Sequence, residues 1–362
     1  MIRLFEMFAG YGGASFSLKR AEIPFECVGY SEIDKYAIQC YEQNHKGKNY
    51  GDCTKINPNE LPNFDLLTGG FPCQSFSIAG KGLGELDTRG TLFHEIIRIA
   101  EFKKPRYMLL ENVKGLTFKK HRKTFNKIIS ELYRIGYFVK WKILNTKDYG
   151  IPQNRERIFF TCFRNWNDFC NFEFPQKEEL KIFLKDILED EVEEKYYLTE
   201  KQTKRLVEKS RSFNERFCKT DWSPTLCSRD YKDPKIVQVN NPKHSKDRVY
   251  SEEGISPTIN TMQGGGLQPF IFTGLQEHQS IKKNGISNAL PIAMGEGGGH
   301  TPIVFGFVGS LRKLTPKECF RLMGFLNDEI NLDGLSNTQR YKLAGNGWDI
   351  NLISKILKQM LK

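Results

Sequence analysis

The feature that most restricts the fold of this chain is a regular alternation over its first 165 residues. Short apolar runs alternate there with segments of helical periodicity. Ile2 to Phe8 reads as a strand, and a glycine turn, Gly10-Tyr-Gly-Gly13, follows it. Phe16, Leu18 and Ala21 then mark a short helix. Further strands are expected at Glu26 to Ser31, Phe64 to Thr68, Arg106 to Leu110, Phe138 to Leu144 and Arg157 to Phe163. Between them Leu92, Phe93, Ile96, Ile97 and Ala100 fall on one helical face, as do Phe125, Ile128, Ile129 and Leu132. Strands alternating with helices predict an α/β fold, with a parallel sheet covered on both faces. At 362 residues the chain is also too long for one ordinary core, so two domains are expected.

The pattern changes after Phe174-Pro175. A charged stretch from Glu178 to Glu208 reads as helical and solvated. Asn214 to Phe305 is rich in Gly, Pro and Ser and carries a weak repeat. Ser223, Ser256 and Ser287, spaced by 33 and 31, each open a unit of strand, flexible loop and strand. This predicts a β-rich second domain with long polar loops. Helices return at the end. Thr315-Pro-Lys-Glu318 has the N-cap, first-turn proline and N3 acid of a helix start. Ile350, Ile353, Leu357 and Met360 form the stripe of a final helix.

Composition narrows the class of function. Lys and Arg number 54 against 43 Asp and Glu, a net charge of +11. That excess suits a polyanionic partner, and nucleic acid is the obvious one. No apolar run is long enough to span a bilayer. The first residues, interrupted by Glu6, lack the pattern of a signal peptide, so a cytoplasmic location is expected. Nine cysteines, an odd number without any Cys-x-x-Cys pair, argue against a zinc ribbon and a secreted disulfide framework. The six histidines show no ligand spacing, and no metal is expected.

Five places carry chemistry. Phe8-Ala-Gly-Tyr-Gly-Gly13 follows a strand and opens a helix, so the backbone can approach a ligand closely. Glu32, 22 residues beyond Gly10 and just past the second strand, has the spacing of an acid that takes ribose hydroxyls. The glycine pattern is not the G-x-G-x-x-G of dinucleotide enzymes. Gly69-Gly-Phe-Pro72-Cys73-Gln74 follows the strand ending at Thr68, on the edge where open α/β sheets bind ligands. A cysteine on such a polar loop packs poorly, and its natural reading is a nucleophile. Glu111, ending the next strand, shares that rim and can serve as a proton donor. Arg155 and Arg157, in i, i+2 register, point to one side and suit a phosphate or a carboxylate; a surface ion pair is the plainer reading.

Together these segments resemble the C5-cytosine DNA methyltransferase family. The ordered blocks are Phe8 to Gly13, Glu32, Asp52, Gly70-Phe-Pro-Cys-Gln74, Arg89-Gly-Thr-Leu-Phe93, Glu111-Asn-Val113, Gln153-Asn-Arg-Glu-Arg157, Arg312-Lys-Leu-Thr-Pro316 and Gly345-Asn346. The resemblance implies a Rossmann-like methyltransferase sheet for residues 1–178, completed by 316–362. A smaller target-recognition domain and hinge would occupy 179–315. It implies S-adenosylmethionine as methyl donor, double-stranded DNA as partner and a bacterial or phage modification role, with or without a cognate restriction endonuclease. A monomer is expected. Cys73 would be the nucleophile, Glu111 would hold the base, and Arg157 would contact its O2 side while Arg155 positions the loop. The donor would be held by Phe8, Ala9, Gly10, Gly12, Gly13, Glu32, Ile33, Asp52, Pro72, Leu92 and Asn346. Arg229, Lys232, Gln263 and Gln268 on the repeat loops are the candidate base readers. One departure stands out: after Gly345-Asn346 the family usually has a small residue and a medium aliphatic one, whereas this chain has Gly347-Trp348. Two competing readings are an RNA cytosine methyltransferase of the same family and a DNA-binding relative that has lost catalysis. Intact Cys73, Glu111 and Arg157 disfavour the second, and the long Gly-rich insert disfavours the first.

Overall fold

The protein is described here from a computed structural model. The described residues are 1–71, 92–197, 249–251, 256–257, 270–273 and 310–362. They fall into two compact units. The first comprises Met1–Glu189, Ile255–Leu267 and Thr315–Lys362; the second comprises Asp190–Gly254 and Gln268–Leu314.

The first unit is built on six strands: β1 (Ile2–Met7), β2 (Phe25–Ser31), β3 (Leu66–Gly70), β4 (Tyr107–Val113), β5 (Phe138–Asn145) and β7 (Glu156–Phe163). Their order is β2-β1-β3-β4-β7-β5. Adjacent residues on each strand point to opposite faces, so each strand feeds two cores. Phe5, Leu67, Leu110 and Phe160 meet Ile96, Ile97 and Ala100 of α3 (Leu92–Lys103) and Ile128 and Leu132 of α4 (Arg122–Arg134). Leu4, Leu66, Leu109 and Phe159 meet Ala14 and Leu18 of α1 (Gly13–Arg20). The same face takes Ile353, Ile356 and Leu357 of the last helix, α8 (Ile350–Met360). The end of the chain therefore completes the second face of a sheet that its beginning started. The stripe Ile350, Ile353, Leu357 and Met360 is buried as expected.

Two expectations need correction. The sheet is mixed rather than parallel, because β7 runs antiparallel to both β4 and β5. A parallel return needs a crossover, usually a helix. Between β5 and β7 the chain has only a 3-10 turn, Thr146–Tyr149, and the short strand β6 (Gln153–Asn154). The stretch from Glu178 also does not form the expected solvated helix within its described part, 178–197. It makes 3-10 turns at Leu184–Ile187 and Glu194–Tyr196, and Leu184 and Ile187 are buried. Residues 198–208 lie outside the described residues.

The second unit contains a three-stranded sheet in the order β11-β10-β8, formed by β8 (Val249–Ser251), β10 (Phe270–Thr273) and β11 (Ser310–Lys313). Only part of the middle copy of the repeat falls within the described residues. Its first strand, β9 (Ser256–Pro257), belongs to the first unit and pairs there with β6, and its second stands at β10. The other two copies lie outside the described residues.

Glu6 on β1 is the polar centre of the first unit. It is 2% exposed, and it accepts hydrogen bonds from Ala14 N at 3.2 Å, from the Tyr41 hydroxyl at 3.0 Å and from the Ser15 hydroxyl. Its carboxyl thereby holds the N-terminus of α1, where negative charge is favoured. Burial nevertheless raises its pKa to about 7, against the pull of those hydrogen bonds. The folded protein thus holds this proton to higher pH than the unfolded chain does. Its contribution to stability is complete at acid pH and is lost as pH rises through about 7. Buried Asp349, raised to about 6, acts in the same direction. Glu6→Gln should therefore gain in thermal unfolding midpoint relative to the wild type as pH rises from 5 to 8. A constant difference across that range would remove Glu6 from the titration.

Candidate active site

The C-terminal ends of β1, β2, β3 and β4 open onto one cavity of about 400 Å³, the size of a small-molecule site. The turn from β1 into α1 forms one wall. Phe8, Gly10 and Gly12 all have positive φ, at 54°, 56° and 84°. For Phe8 this is a rarely populated backbone state, of the kind concentrated at functional sites. Gly12 is the N-cap of α1, and a Cβ there would stand 2.4 Å from the His45 ring. Only glycine fits that turn.

Glu32 closes the turn from the side. Its carboxylate accepts from Gly10 N at 2.9 Å, Ile33 N at 2.8 Å and Asp34 N at 3.0 Å. Three backbone donors fix its direction: Oε1 takes Ile33 N and Asp34 N, and Oε2 takes Gly10 N alone and keeps a lone pair for a ligand hydroxyl. Phe8, Leu92 and Asn346 line the same cavity, while Ala9 and Gly13 line an adjoining cleft of about 40 Å³. The structure does not bring every expected residue together. Ile33 is 75% exposed and Asp52 caps the 3-10 turn Cys53–Lys55 through Thr54; neither lines the cavity. Pro72, Cys73, Arg229, Lys232, Gln263 and Gln268 lie outside the described residues.

The opposite wall is charged. Glu111 on β4 faces Arg157 on β7, with Oε1 2.9 Å from the guanidinium Nε, and both side chains are largely buried. Their strands are neighbours, which sets the pair. Arg155 lies deeper, 4% exposed, and donates to the carbonyls of Gly347 at 2.9 Å and Gly345 at 3.4 Å. Burial, with the neighbouring charge of Arg157, lowers its pKa to about 10, so it remains a cation at neutral pH. Asn112 donates to the Phe71 carbonyl at 2.9 Å and so anchors the chain where it leaves β3 toward Cys73.

Several lining residues carry no sequence signal of their own. Asp34, which caps α2 (Lys35–Asn44), pairs with Lys342 of α7 (Asn337–Asn346). Both border the cavity, yet they are 308 positions apart in sequence. Trp348 lines two smaller clefts beside the main one.

A buried ion pair, a braced carboxylate and a glycine turn on one rim can hold a nucleoside-like ligand beside a planar polar group. Comparison with known proteins agrees with this geometry. The family model for C-5 cytosine-specific DNA methylases matches residues 2–362, and the chain belongs to that family of DNA methyltransferases. It is 34% identical to the type II methyltransferase M.HhaI of Haemophilus parahaemolyticus, over 98% of this chain and 93% of that protein. It is 31% identical to the orphan methyltransferase M.SPBetaI of Bacillus phage SPbeta, over 99% of this chain and 97% of that one. Among solved structures, the S. pombe Dnmt2 methyltransferase shares the fold, with a TM-score of 0.65 at 19% identity. That match covers 100% of this chain and 98% of the other.

Proposed function

We propose that the protein transfers a methyl group from S-adenosylmethionine to C5 of a cytosine flipped out of a specific double-stranded DNA sequence. The observation that carries this reading is the convergence of the Glu32-braced glycine turn and the Glu111–Arg157 pair on one cavity. The residues present fit the donor. Glu32 offers Oε2 as an acceptor for a ribose hydroxyl, Phe8 and Leu92 offer apolar surface, and Asn346 borders the same space. When bound, the donor supplies an electrophilic methyl group.

The rest of the chemistry belongs to the protein. Cytosine C5 is a weak nucleophile. Addition of the Cys73 thiolate to C6 makes C5 electron-rich. Glu111 supplies a proton at N3 and holds the exocyclic amine, stabilising the charge that develops in the ring. Arg157 orients Glu111 and meets the O2 side of the base. After methyl transfer N3 returns its proton to Glu111, the C5 proton passes to solvent, and departure of the Cys73 sulfur from C6 as thiolate restores the aromatic ring. Because the target carbon is stacked inside a duplex, the base must leave the helix first. In this reading 179–315 is the target-recognition domain and hinge, with 1–178 and 316–362 catalytic. Arg229, Lys232, Gln263 and Gln268 read bases, and Lys235 and Lys243 meet phosphates. The chain serves as a modification enzyme of a phage or a restriction system.

Bisulfite sequencing of DNA from cells expressing the chain tests the reading, with labelled-methyl transfer to duplex DNA and to tRNA as its complement. Incorporation into tRNA alone would replace DNA by RNA as the substrate. Cys73→Ser should bind duplex and donor but lose methyl transfer, because a hydroxyl is scarcely ionised at neutral pH. A duplex carrying 5-fluorocytosine at the target should trap the wild type covalently; a serine variant of near wild-type rate would sink the mechanism. Glu32→Ala should weaken donor binding by about 1.5–3 kcal/mol, as a hydrogen bond to a charged group is lost, and leave DNA affinity unchanged. Equilibrium dialysis decides it. Arg229→Ala and Gln263→Ala should each reduce discrimination at the preferred site by about 1–3 kcal/mol. An unaltered methylome in both would place specificity elsewhere.

A further inference from the structure

Trp348 stands where the family pattern carries an aliphatic residue, and its surroundings are shaped to hold it. A Cβ at Gly13 would lie 3.0 Å from the Trp348 Cβ. A Cβ at Gly70, the last residue of β3, would lie 2.8 Å from the indole Nε1. Two glycines thus give the indole its space. Its backbone is fixed as well: the Tyr11 hydroxyl donates to the Trp348 carbonyl, and Arg155 donates to the preceding carbonyl of Gly347. The absent side chain of Gly347 lets the Tyr11 ring come in, since a Cβ there would stand 1.9 Å from it.

The same point above Gly70 lies 3.2 Å from Oε2 of Glu111. The indole N–H and the second carboxyl oxygen of Glu111 therefore converge on one small volume. Arg157 approaches Oε1, and neither Nε1 nor Oε2 has a hydrogen-bond partner among the described residues. No direct hydrogen bond joins the two; because an indole N–H only donates and a carboxylate oxygen only accepts, one water in the space above Gly70 can bridge them. We infer that Trp348 is a positioning residue for Glu111, its indole N–H reaching through one bridging water the carboxyl oxygen that Arg157 leaves free. Glu111 is then held from both sides, by a guanidinium on β7 and by an indole on the loop between α7 and α8. The kinetic consequence rests on the assignment of Glu111 to the base; the water-mediated link itself does not.

The contact is read by NMR without any turnover. The chain has four tryptophans, and Trp348→Phe assigns one of four indole N–H resonances. Glu111→Gln should move that resonance and leave the other three in place. In single-turnover and steady-state assays Trp348→Phe keeps a ring in the cleft but removes the donor. It should lower kcat by about tenfold while the KM values for donor and DNA stay within about threefold, the loss expected of one hydrogen bond to a charged group. Trp348→Val should lose as much in kcat, since it restores no donor. An indole resonance indifferent to Glu111→Gln, or a Trp348→Phe variant with unchanged kcat, overturns the inference. A wild-type chain that transfers no methyl group overturns the proposed function instead, and the spectrum still decides this contact.

Discussion

Arg155 ties the middle of the chain to its C-terminal part in one site. It leaves the sheet beside β7, buries its guanidinium and donates to carbonyls in the Gly345–Gly347 turn near the C-terminus. A buried cation is costly unless its donors are occupied, and a turn with bare carbonyls is equally in need of a donor. Each satisfies the other. The turn so fixed places Asn346 at the cavity and Trp348 beside Glu111, and it leads directly into α8, which covers one face of the sheet.

The cavity also depends on backbone that only certain residues allow. The left-handed states at Gly10 and Gly12 turn the chain sharply out of β1, and Glu6 and Glu32 meet the amides exposed by that turn. Glu6 works from below, in the core, and Glu32 from the rim. The two carboxylates differ in what surrounds them. Burial drives the Glu6 pKa up to about 7, whereas Glu32 lines the cavity with Oε2 still able to accept. One acid is structural and the other is placed to receive a ligand.

Glu111 illustrates how neighbouring strands make a chemical pair. Val113 of β4 lies opposite Arg157 of β7, and the antiparallel register brings the arginine back over Glu111. Had β7 run parallel, as the alternation of elements implies, its side chains would meet β4 in a different register. The reversal that broke the simple α/β expectation is thus part of what assembles the site.

The elements themselves were legible from local pattern. Short apolar runs marked β1 to β5 and β7, the Thr315–Glu318 capping box starts α6 (Pro316–Arg321), and the apolar stripe of α8 is buried. These depend on neighbours within a few residues, so sequence alone determined them, as it did the block order that marks the family. The glycine turn, Glu32, Glu111 and Arg157 were likewise visible, because each stands at or beside the end of a strand at a fixed place in the pattern. Strand direction, the Asp34–Lys342 pair, the anchoring of the Gly345–Gly347 turn by Arg155 and the setting of Trp348 were decided only by the tertiary structure. Their partners lie far apart along the chain, and nothing local to either partner records the other. Such contacts arise when the sheet buries its two faces, since that burial fixes which distant charges and donors must satisfy one another.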